Sequence, residues 1–353
     1  MLNFAPGLIA DELLYSYAAR WLLLSGLKRS TFCEAVAGRQ VAFHALNAAR
    51  FVALDSTAGI LADKSWVEEN MTLYPFARPF LGEEINARHF TTGKELKRVG
   101  TEVDELRRRP WSTLCLNHCP ECARENRLSD GVAAWRRSHN LPGVTACLKH
   151  GCRLFTTSRT PGALKMLKVE PHQEIHLGAS YEEIWYAATA NELLGASIPV
   201  VHREQFRYAL QAGLARTFGR TDSEKMEQMI RLRLTQEFEP GFLRRIGVGT
   251  ESAQMAAARI MEHDAGTLNP VHAILVAKLT HEGGIIELFK EALTLKVRPM
   301  SNARVAKMEI HQKRVESMEA FKRRCNERRT AELSHQLRKD LALDEVILLG
   351  DEG

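Results

Sequence analysis

The sequence predicts a mainly α-helical protein, and two patterns support that class. Apolar residues recur with helical spacing through most of the chain, whereas alternating strand patterns are scarce. Near the middle, five of the seven cysteines lie between Cys115 and Cys152, in a polar stretch with little periodicity of its own. We therefore predict a helical amino-terminal domain of helix-turn-helix type, a small zinc-ribbon or zinc-finger module, and a helical carboxyl-terminal domain.

Composition is that of an ordinary globular protein, with 45% hydrophobic and 26% charged residues in a chain of 353. The net charge of +5 supports no general conclusion about nucleic acid. Asp11, Glu12 and Arg20 interrupt the apolar amino terminus, which also lacks a basic leading region, so neither a signal peptide nor a membrane span is expected. We expect a cytoplasmic protein without a membrane partner. In that compartment thiols stay reduced, and clustered cysteines bind metal more often than they pair.

The amino-terminal domain is predicted to cover residues 1–105 and to begin with two helices. The first runs from Asp11 to Ser25 and is stopped by Gly26. A capping-box spacing from Thr31 to Glu34 then predicts a second, short helix that ends near Gly38. Helix, glycine turn and helix fit a helix-turn-helix, and they equally fit the start of any helical bundle.

Further along, residues 43–68 predict one or two helices, and residues 72–113 predict a connection rich in proline and charge. A short strand near Val200 is a candidate. The carboxyl-terminal domain is predicted over residues 180–295 and its helices are Tyr181–Leu194, Arg203–Phe218, Ser223–Glu237, Gly241–Ile246, Ser252–Met261 and Pro270–Leu293.

A metal module is predicted over residues 106–160. Its two knuckles are Cys119-x2-Cys122 and Cys147-x2-His150, separated by 24 residues. A two-residue spacer lets both side chains of a tight turn bind one ion, and two such turns complete the tetrahedron that Zn²⁺ prefers. The separation leaves room for a helix between the knuckles. We predict Zn²⁺ bound by Cys119, Cys122, Cys147 and His150.

Two questions about this site stay open at the level of sequence. Cys152 is the most plausible substitute for His150, and further spare ligands are Cys115, His118 and His139. A catalytic zinc keeps one position free for water, whereas four good ligands here fill the shell, so a structural role is favoured. Glu121 and Glu125 are interpreted as surface residues.

Basic residues surround the predicted module, and they are candidates for nucleic-acid binding: Arg107, Arg108, Arg109, Arg136, Arg137, Lys149 and Arg153. Three thiolates and one neutral histidine give a zinc site a formal charge of about −1, which accounts for one nearby cation. The remaining basic residues favour a surface that faces phosphate. We expect Arg136 and Arg137 to project outward from a helix. Trp135 beside them is interpreted as the small core of the module, with base stacking as the alternative.

The carboxyl-terminal arm, residues 296–353, concentrates positive charge. From Lys296 to Asp340 there are 13 basic and six acidic residues, a local balance of +7 in a chain whose total is +5. Lys322, Arg323 and Arg324 are its nucleic-acid-binding candidates. The arm is either a phosphate-tracking or partner-binding helix or a surface helix packed on its own protein.

The segments CPECARE and WRRSHNLPGVTACLKHGC resemble the zinc-binding core of the TniQ/TnsD family of transposon target-selection proteins. FAPGLIADELLYSYAARW resembles the opening of that family, and MTLYPFARPF resembles its T-L-Y-P stretch. Downstream, RYALQAGLARTFGR, FEPGFLRRIG and NPVHAILVAKL look like the helical half of TnsD-type members. Met71 stands where the family often has histidine, and Ala123 replaces a small or glycine turn residue; neither removes a ligand.

The resemblance implies a target-site selection adaptor that binds target DNA and recruits an AAA+ ATPase regulator, which in turn brings the transposase. An alternative is an adaptor that docks on a Cascade-type RNA-guided complex. A zinc-dependent nuclease or hydrolase is the alternative from another class. No nucleotide-binding, HExxH or GxSxG motif is present, so no enzymatic activity is expected. A second copy of the chain, in a homodimer, is also an expected partner.

Overall fold

The computed structural model describes seven stretches of the chain: residues 5–37, 64–80, 115–158, 164–168, 178–219, 222–248 and 269–296. The chain divides into two compact units, Met1–Lys296 and Val297–Gly353, and all described residues belong to the first. Arg107, Arg108 and Arg109, the helix predicted at Ser252–Met261, and the basic arm with Lys322, Arg323 and Arg324 lie outside the described residues. The four domain boundaries given above stay predictions.

The prediction of a mainly α-helical protein is confirmed. The helices are α1 Leu14–Ser25, α2 Arg29–Ala37, α3 Lys64–Met71, α4 at residues 74–80, α5 Pro120–Asp130, α6 Tyr181–Gly195, α7 Arg203–Phe218, α8 Ser223–Glu237, α9 Pro240–Arg245, α10 Pro270–Thr280 and α11 Gly284–Thr294. Strands β1 (Cys115–His118) and β2 (Phe155–Ser158) pair antiparallel, with Cys115 opposite Ser158. No helix in the described stretches is both long and apolar enough to cross a membrane.

Helix α1 begins three residues later than predicted because the chain before it is tied to the metal module. Asp11 has φ 60° and Glu12 forms an isolated β-bridge with Arg136. The buried Glu12 carboxylate accepts two hydrogen bonds from Arg20, at 2.9 and 2.6 Å. Gly26 ends α1 in the left-handed region, as predicted. Helix α2 begins at Arg29, so the predicted capping box does not mark its start.

Helix α4 lies within residues 72–113, which were predicted to form a connection, and that prediction is wrong for residues 74–80. Tyr74, Phe76 and Phe80 are buried, and the Phe80 ring lies 5.2 Å from the ring of Phe289. Pro75 is compatible with a helix because it falls in the first turn, where a backbone N–H has no intrahelical acceptor. Residues 74–80 therefore belong to the core.

The carboxyl-terminal helices follow the predictions closely, with one exception. Helices α7 and α8 have the predicted bounds, whereas the single helix predicted over Pro270–Leu293 is two helices, α10 and α11. The break falls where Gly284 adopts φ 62°, a conformation that glycine accepts without a Cβ penalty. The segment around Val200 is not a strand. One continuous apolar cluster runs from Leu13 to Ala292 and joins the helices of both halves.

Candidate metal centre

Four side chains meet at one point of the module. The Sγ atoms of Cys119, Cys122 and Cys147 and the Nδ1 atom of His150 all lie within 4.8 Å of one another. Nδ1 is 3.3, 3.4 and 3.6 Å from the three sulfurs, and Cys122 Sγ is 3.6 Å from Cys147 Sγ. Bonds of about 2.3 Å to sulfur and about 2.0 Å to nitrogen place tetrahedral ligand atoms roughly 3.5 to 3.8 Å apart. The donor atoms therefore fit a tetrahedral ion of the size of Zn²⁺.

Local sequence builds the first knuckle at the start of α5. Cys119 is the residue before the helix, Pro120 occupies the first helical position, and Cys122 lies in the first turn. The Ala123 amide donates to the Cys119 carbonyl at 3.0 Å, which closes the turn. Proline is favoured at that position because its fixed φ suits a helix and its missing N–H is not needed. The helix predicted between the knuckles is present, and it starts within the first of them.

The second knuckle is a tight turn closed by backbone hydrogen bonds. The Gly151 amide donates to the Cys147 carbonyl at 2.9 Å, and the Cys147 amide donates to the Cys152 carbonyl at 2.8 Å. Gly151 has φ 60°, where a side chain would be strained. These bonds fix the direction in which Cys147 and His150 approach the other pair.

The thiols influence one another strongly. Hydrogen bonds from Cys122 and Cys147 lower the pKa of the Cys119 thiol, and they outweigh the opposite effect of burial. The same contacts raise the pKa of the Cys122 thiol, because a second thiolate beside Cys119 is repelled. A divalent cation among these sulfurs removes that repulsion and stabilises several thiolates together.

A carboxylate lies behind the His150 ring. His150 Nε2 is 3.2 Å from Glu125 Oε1, and Lys149 Nζ donates to Glu125 Oε2 at 2.6 Å. Such a carboxylate fixes the tautomer that leaves Nδ1 free to bind the ion. From the sequence alone, Glu125 was interpreted as an ordinary surface residue. Its position three residues after Cys122, on the same helix face, was the signal that could have revealed it.

The spare ligands do not join the group of four. Cys152 Sγ is buried and lies 3.5 Å from Cys119 Sγ, but it is not among the atoms mutually within 4.8 Å. Cys115 is exposed. His118 and His139 are buried outside the group, and the His118 ring packs on Trp135 with centroids 5.7 Å apart.

Arg137 does not project from a helix, so that expectation is wrong. Residues 133–137 are not helical, and Arg137 is only 8% exposed. Its Nε donates to the Thr72 carbonyl at 2.7 Å, and its terminal nitrogens donate to the carbonyls of Asn70 at 2.7 Å and Glu69 at 2.8 Å. The side chain turns inward because these carbonyls at the end of α3 have no partner within the helix.

The other basic residues around the module also have close partners. Arg136 is half-buried and donates to Asn126 Oδ1, while Arg153 donates through Nε to Glu183 at 2.9 Å. Lys149 is exposed and paired with Glu125. Trp135 is buried and donates from Nε1 to the Lys165 carbonyl at 3.1 Å, in agreement with its interpretation as core. Lys149 and Arg153 are thus each paired with a carboxylate, whereas Arg136 and Arg137 bond to neutral oxygens.

The amino-terminal part of the chain, which includes the module, is similar to a known family. Residues 3–154 match the family model described as TniQ. The matched range contains both knuckles and the segments at the amino terminus that the sequence analysis compared with that family, so the resemblance is confirmed over these residues. No curated protein matches the chain at a significant level.

Proposed function

We propose that this chain, whose residues 3–154 form a TniQ domain, is a non-catalytic adaptor that selects target sites in DNA transposition. The TniQ family is associated with target selection in transposition, and the family match is the observation that supports the proposal most. In this role the chain marks the insertion site and recruits an AAA+ ATPase regulator, which then brings the transposase.

We propose Zn²⁺ as the ion of the metal centre, with a structural role. Four protein donors form a complete tetrahedral set, whereas a catalytic zinc keeps one position for water. The Glu125 carboxylate is hydrogen-bonded to His150 and Lys149 and is therefore a poor general base for a bound water. The geometry thus gives little support to a zinc-dependent nuclease or hydrolase.

Metal analysis tests this assignment. The purified chain is expected to contain about one zinc, and Cys122→Ser is expected to lose it and unfold the module, because bound zinc supplies folding free energy. Cys152→Ser is the matched control: it removes a neighbouring buried thiol and is expected to retain the ion. Loss of zinc from Cys152→Ser, or stoichiometric zinc in a Cys119→Ser, Cys122→Ser double variant, contradicts the proposed ligand set.

The adaptor can reach its target by direct binding to DNA or by docking on a Cascade-type RNA-guided complex. One observation favours the second route for the module itself. Arg137 is buried against backbone carbonyls and Lys149 is paired with Glu125, so these two predicted phosphate contacts are less available there. Direct binding then depends more on other surfaces of the chain.

A salt titration of binding to duplex DNA separates the two routes. Direct phosphate contacts give a steep loss of affinity with salt, of about 0.9 in logarithmic slope for each phosphate neutralised. Weak binding to DNA together with tight binding to a guide-loaded complex supports the docking route. If transposition to a chosen site proceeds equally well without the chain, the adaptor function itself is wrong.

A further inference from the structure

A pocket lies away from the metal centre, between the module and the helices that follow it. Its volume is about 190 Å³, and the residues important here are Arg153 after the second knuckle, Glu183 in the first turn of α6, and Arg245 at the end of α9. Nothing in the family match covers Glu183 or Arg245, which lie beyond residue 154.

Glu183 is the fixed centre of this pocket. Its carboxylate is fully buried and accepts four hydrogen bonds: from the Ser180 amide at 2.8 Å, Thr145 Oγ1 at 3.0 Å, Arg153 Nε at 2.9 Å and Arg245 Nε at 2.8 Å. Burial raises the pKa of this carboxyl, but the Ser180 amide, the arginines and Thr145 outweigh burial and lower it. Glu183 is therefore ionised and held in one orientation.

The charges in the pocket do not balance. Two guanidinium groups face one carboxylate, and Glu183 is the only acid among the described residues that line the pocket. Each arginine uses Nε for Glu183. Within the described part of the chain, the terminal nitrogens of Arg153 and Arg245 have no hydrogen-bond acceptor, and the side chains remain 31% and 32% exposed. A net charge of about +1 thus lies in a half-enclosed cavity, with two donor forks fixed in place.

We propose that this pocket binds a phosphate group between Arg153 and Arg245. Guanidinium forks match the oxygens of a phosphate in a bidentate manner, and Glu183 orients both forks before the ligand arrives, which lowers the entropic cost of binding. An anion also neutralises the excess positive charge of the two arginines, which water solvates only in part inside the pocket. The inference rests on the proposed function to the extent that the phosphate belongs to a nucleic acid that the adaptor contacts.

The first experiment titrates the zinc-loaded full chain with inorganic phosphate at constant ionic strength and measures the heat of binding. Saturable binding to the wild type is expected. Arg245→Gln is expected to weaken it about tenfold, because one charge-assisted pair of hydrogen bonds is lost. Arg244→Gln is the matched control: Arg244 is exposed on the same turn and outside the pocket, so its loss is expected to change the affinity less than about twofold.

A second arm uses duplex DNA and distinguishes a backbone phosphate from a free one. A lower salt slope for Arg245→Gln, by about one phosphate contact, assigns the pocket to the nucleic-acid backbone. An unchanged slope, with phosphate binding still lost, assigns it to a free phosphate. If the wild type binds phosphate but neither DNA nor a guide-loaded complex, the adaptor function fails while the pocket stands.

Two outcomes overturn the proposal. The first is the absence of saturable phosphate binding to the folded wild type, a result that needs no variant. The second is an Arg245→Gln protein that binds phosphate and DNA normally but loses the AAA+ ATPase regulator, which shows that the pocket takes an acidic side chain of a protein. Zinc content and the helical signal of the variant establish that it is folded.

Discussion

At the scale of single residues, Arg137 connects two parts of the protein that are far apart in sequence. Its three donors reach the carbonyls of Glu69, Asn70 and Thr72 at the end of α3, which are more than 60 residues away. The last carbonyls of a helix need external donors, and a cation there also interacts favourably with the helix dipole. Arg137 therefore joins the metal module to the amino-terminal helices.

Arg137→Gln is expected to lower the free energy of unfolding by about 2 to 4 kcal/mol, because buried carbonyls lose donors that a shorter amide cannot replace. Arg136→Gln is the control, since Arg136 is half-buried and has one side-chain acceptor, Asn126; its cost is expected to be about 1 kcal/mol or less. Urea unfolding measures both. Equal stability of the two variants means that the contacts of Arg137 contribute little.

Glu125→Gln is expected to weaken zinc binding about tenfold or more while the fold persists, because the amide holds the His150 ring less firmly and lacks the negative charge. Glu121→Gln is the control: Glu121 lies on the same helix and pairs with Arg124, away from the histidine. Competition with a chelator measures the affinities. If both variants hold zinc as tightly as the wild type, the carboxylate behind His150 has no part in binding.

At the scale of elements, the turn before the second knuckle docks closely on α6. Gly143 has φ 77°, and a Cβ there would lie 2.7 Å from the Tyr186 hydroxyl oxygen, which donates to the Pro142 carbonyl at 2.9 Å. Tyr186 is fully buried, and burial raises the pKa of its phenol. The turn and the helix thus share one close contact that only glycine permits.

Gly143→Ala is expected to destabilise the protein by about 2 to 4 kcal/mol, from backbone strain and displacement of Tyr186. Gly131→Ala separates the two causes, because Gly131 has φ 73° with open space around it. That variant is expected to lower the free energy of unfolding by about 1 kcal/mol, from backbone strain alone. Equal losses in thermal unfolding would show that the contact with Tyr186 adds nothing.

The elements also show which features the sequence could predict. Helix α5 and both knuckles were predictable because proline at the first helical position, the cysteine spacings and Gly151 act within a few residues. The extended path at Trp135 was not, since the Leu13 amide donates to the Trp135 carbonyl from 122 residues away. Helix α4 could not be predicted because its prolines suggested a connection. Its burial depends on Phe206 and Phe289, which are distant in the sequence. Long-range contacts decided both of these errors.

At the scale of the whole molecule, the residues that match the TniQ model and the helices after them share one core. The matched range ends at residue 154, yet Glu183 and Tyr186 on α6 contact the module directly, and the apolar cluster continues to Ala292. For the candidate site, sequence spacing sufficed to nominate the four side chains that meet in the module. It could not nominate Glu183 and Arg245, because only folding brings them beside Arg153.

The basic arm can be removed without cutting into the described helices. Truncation after Lys296 removes Val297–Gly353, which forms a compact unit of its own, and leaves the first unit complete. Helix α11 ends at Thr294, and the contact between Gln205 Nε2 and the Leu295 carbonyl, at 2.7 Å, is retained. We therefore expect the truncated chain to keep its zinc and its helical signal.

Its binding is expected to change in affinity and in salt dependence, because nearly all of the +7 segment is lost. Each phosphate contact that the arm makes contributes about 0.9 to the logarithmic salt slope, so the slope on DNA or on a guide-loaded complex is expected to fall by several such steps. Replacement of Lys322, Arg323 and Arg324 by glutamine in the full chain removes charge without shortening it and is expected to lower the slope in the same direction. Fluorescence anisotropy over a salt series measures all three proteins. An unchanged slope in the truncated chain means that the arm is a surface helix packed on its own protein. Loss of an arm that contacts phosphate lowers the number of counterions released on binding, and the slope then falls.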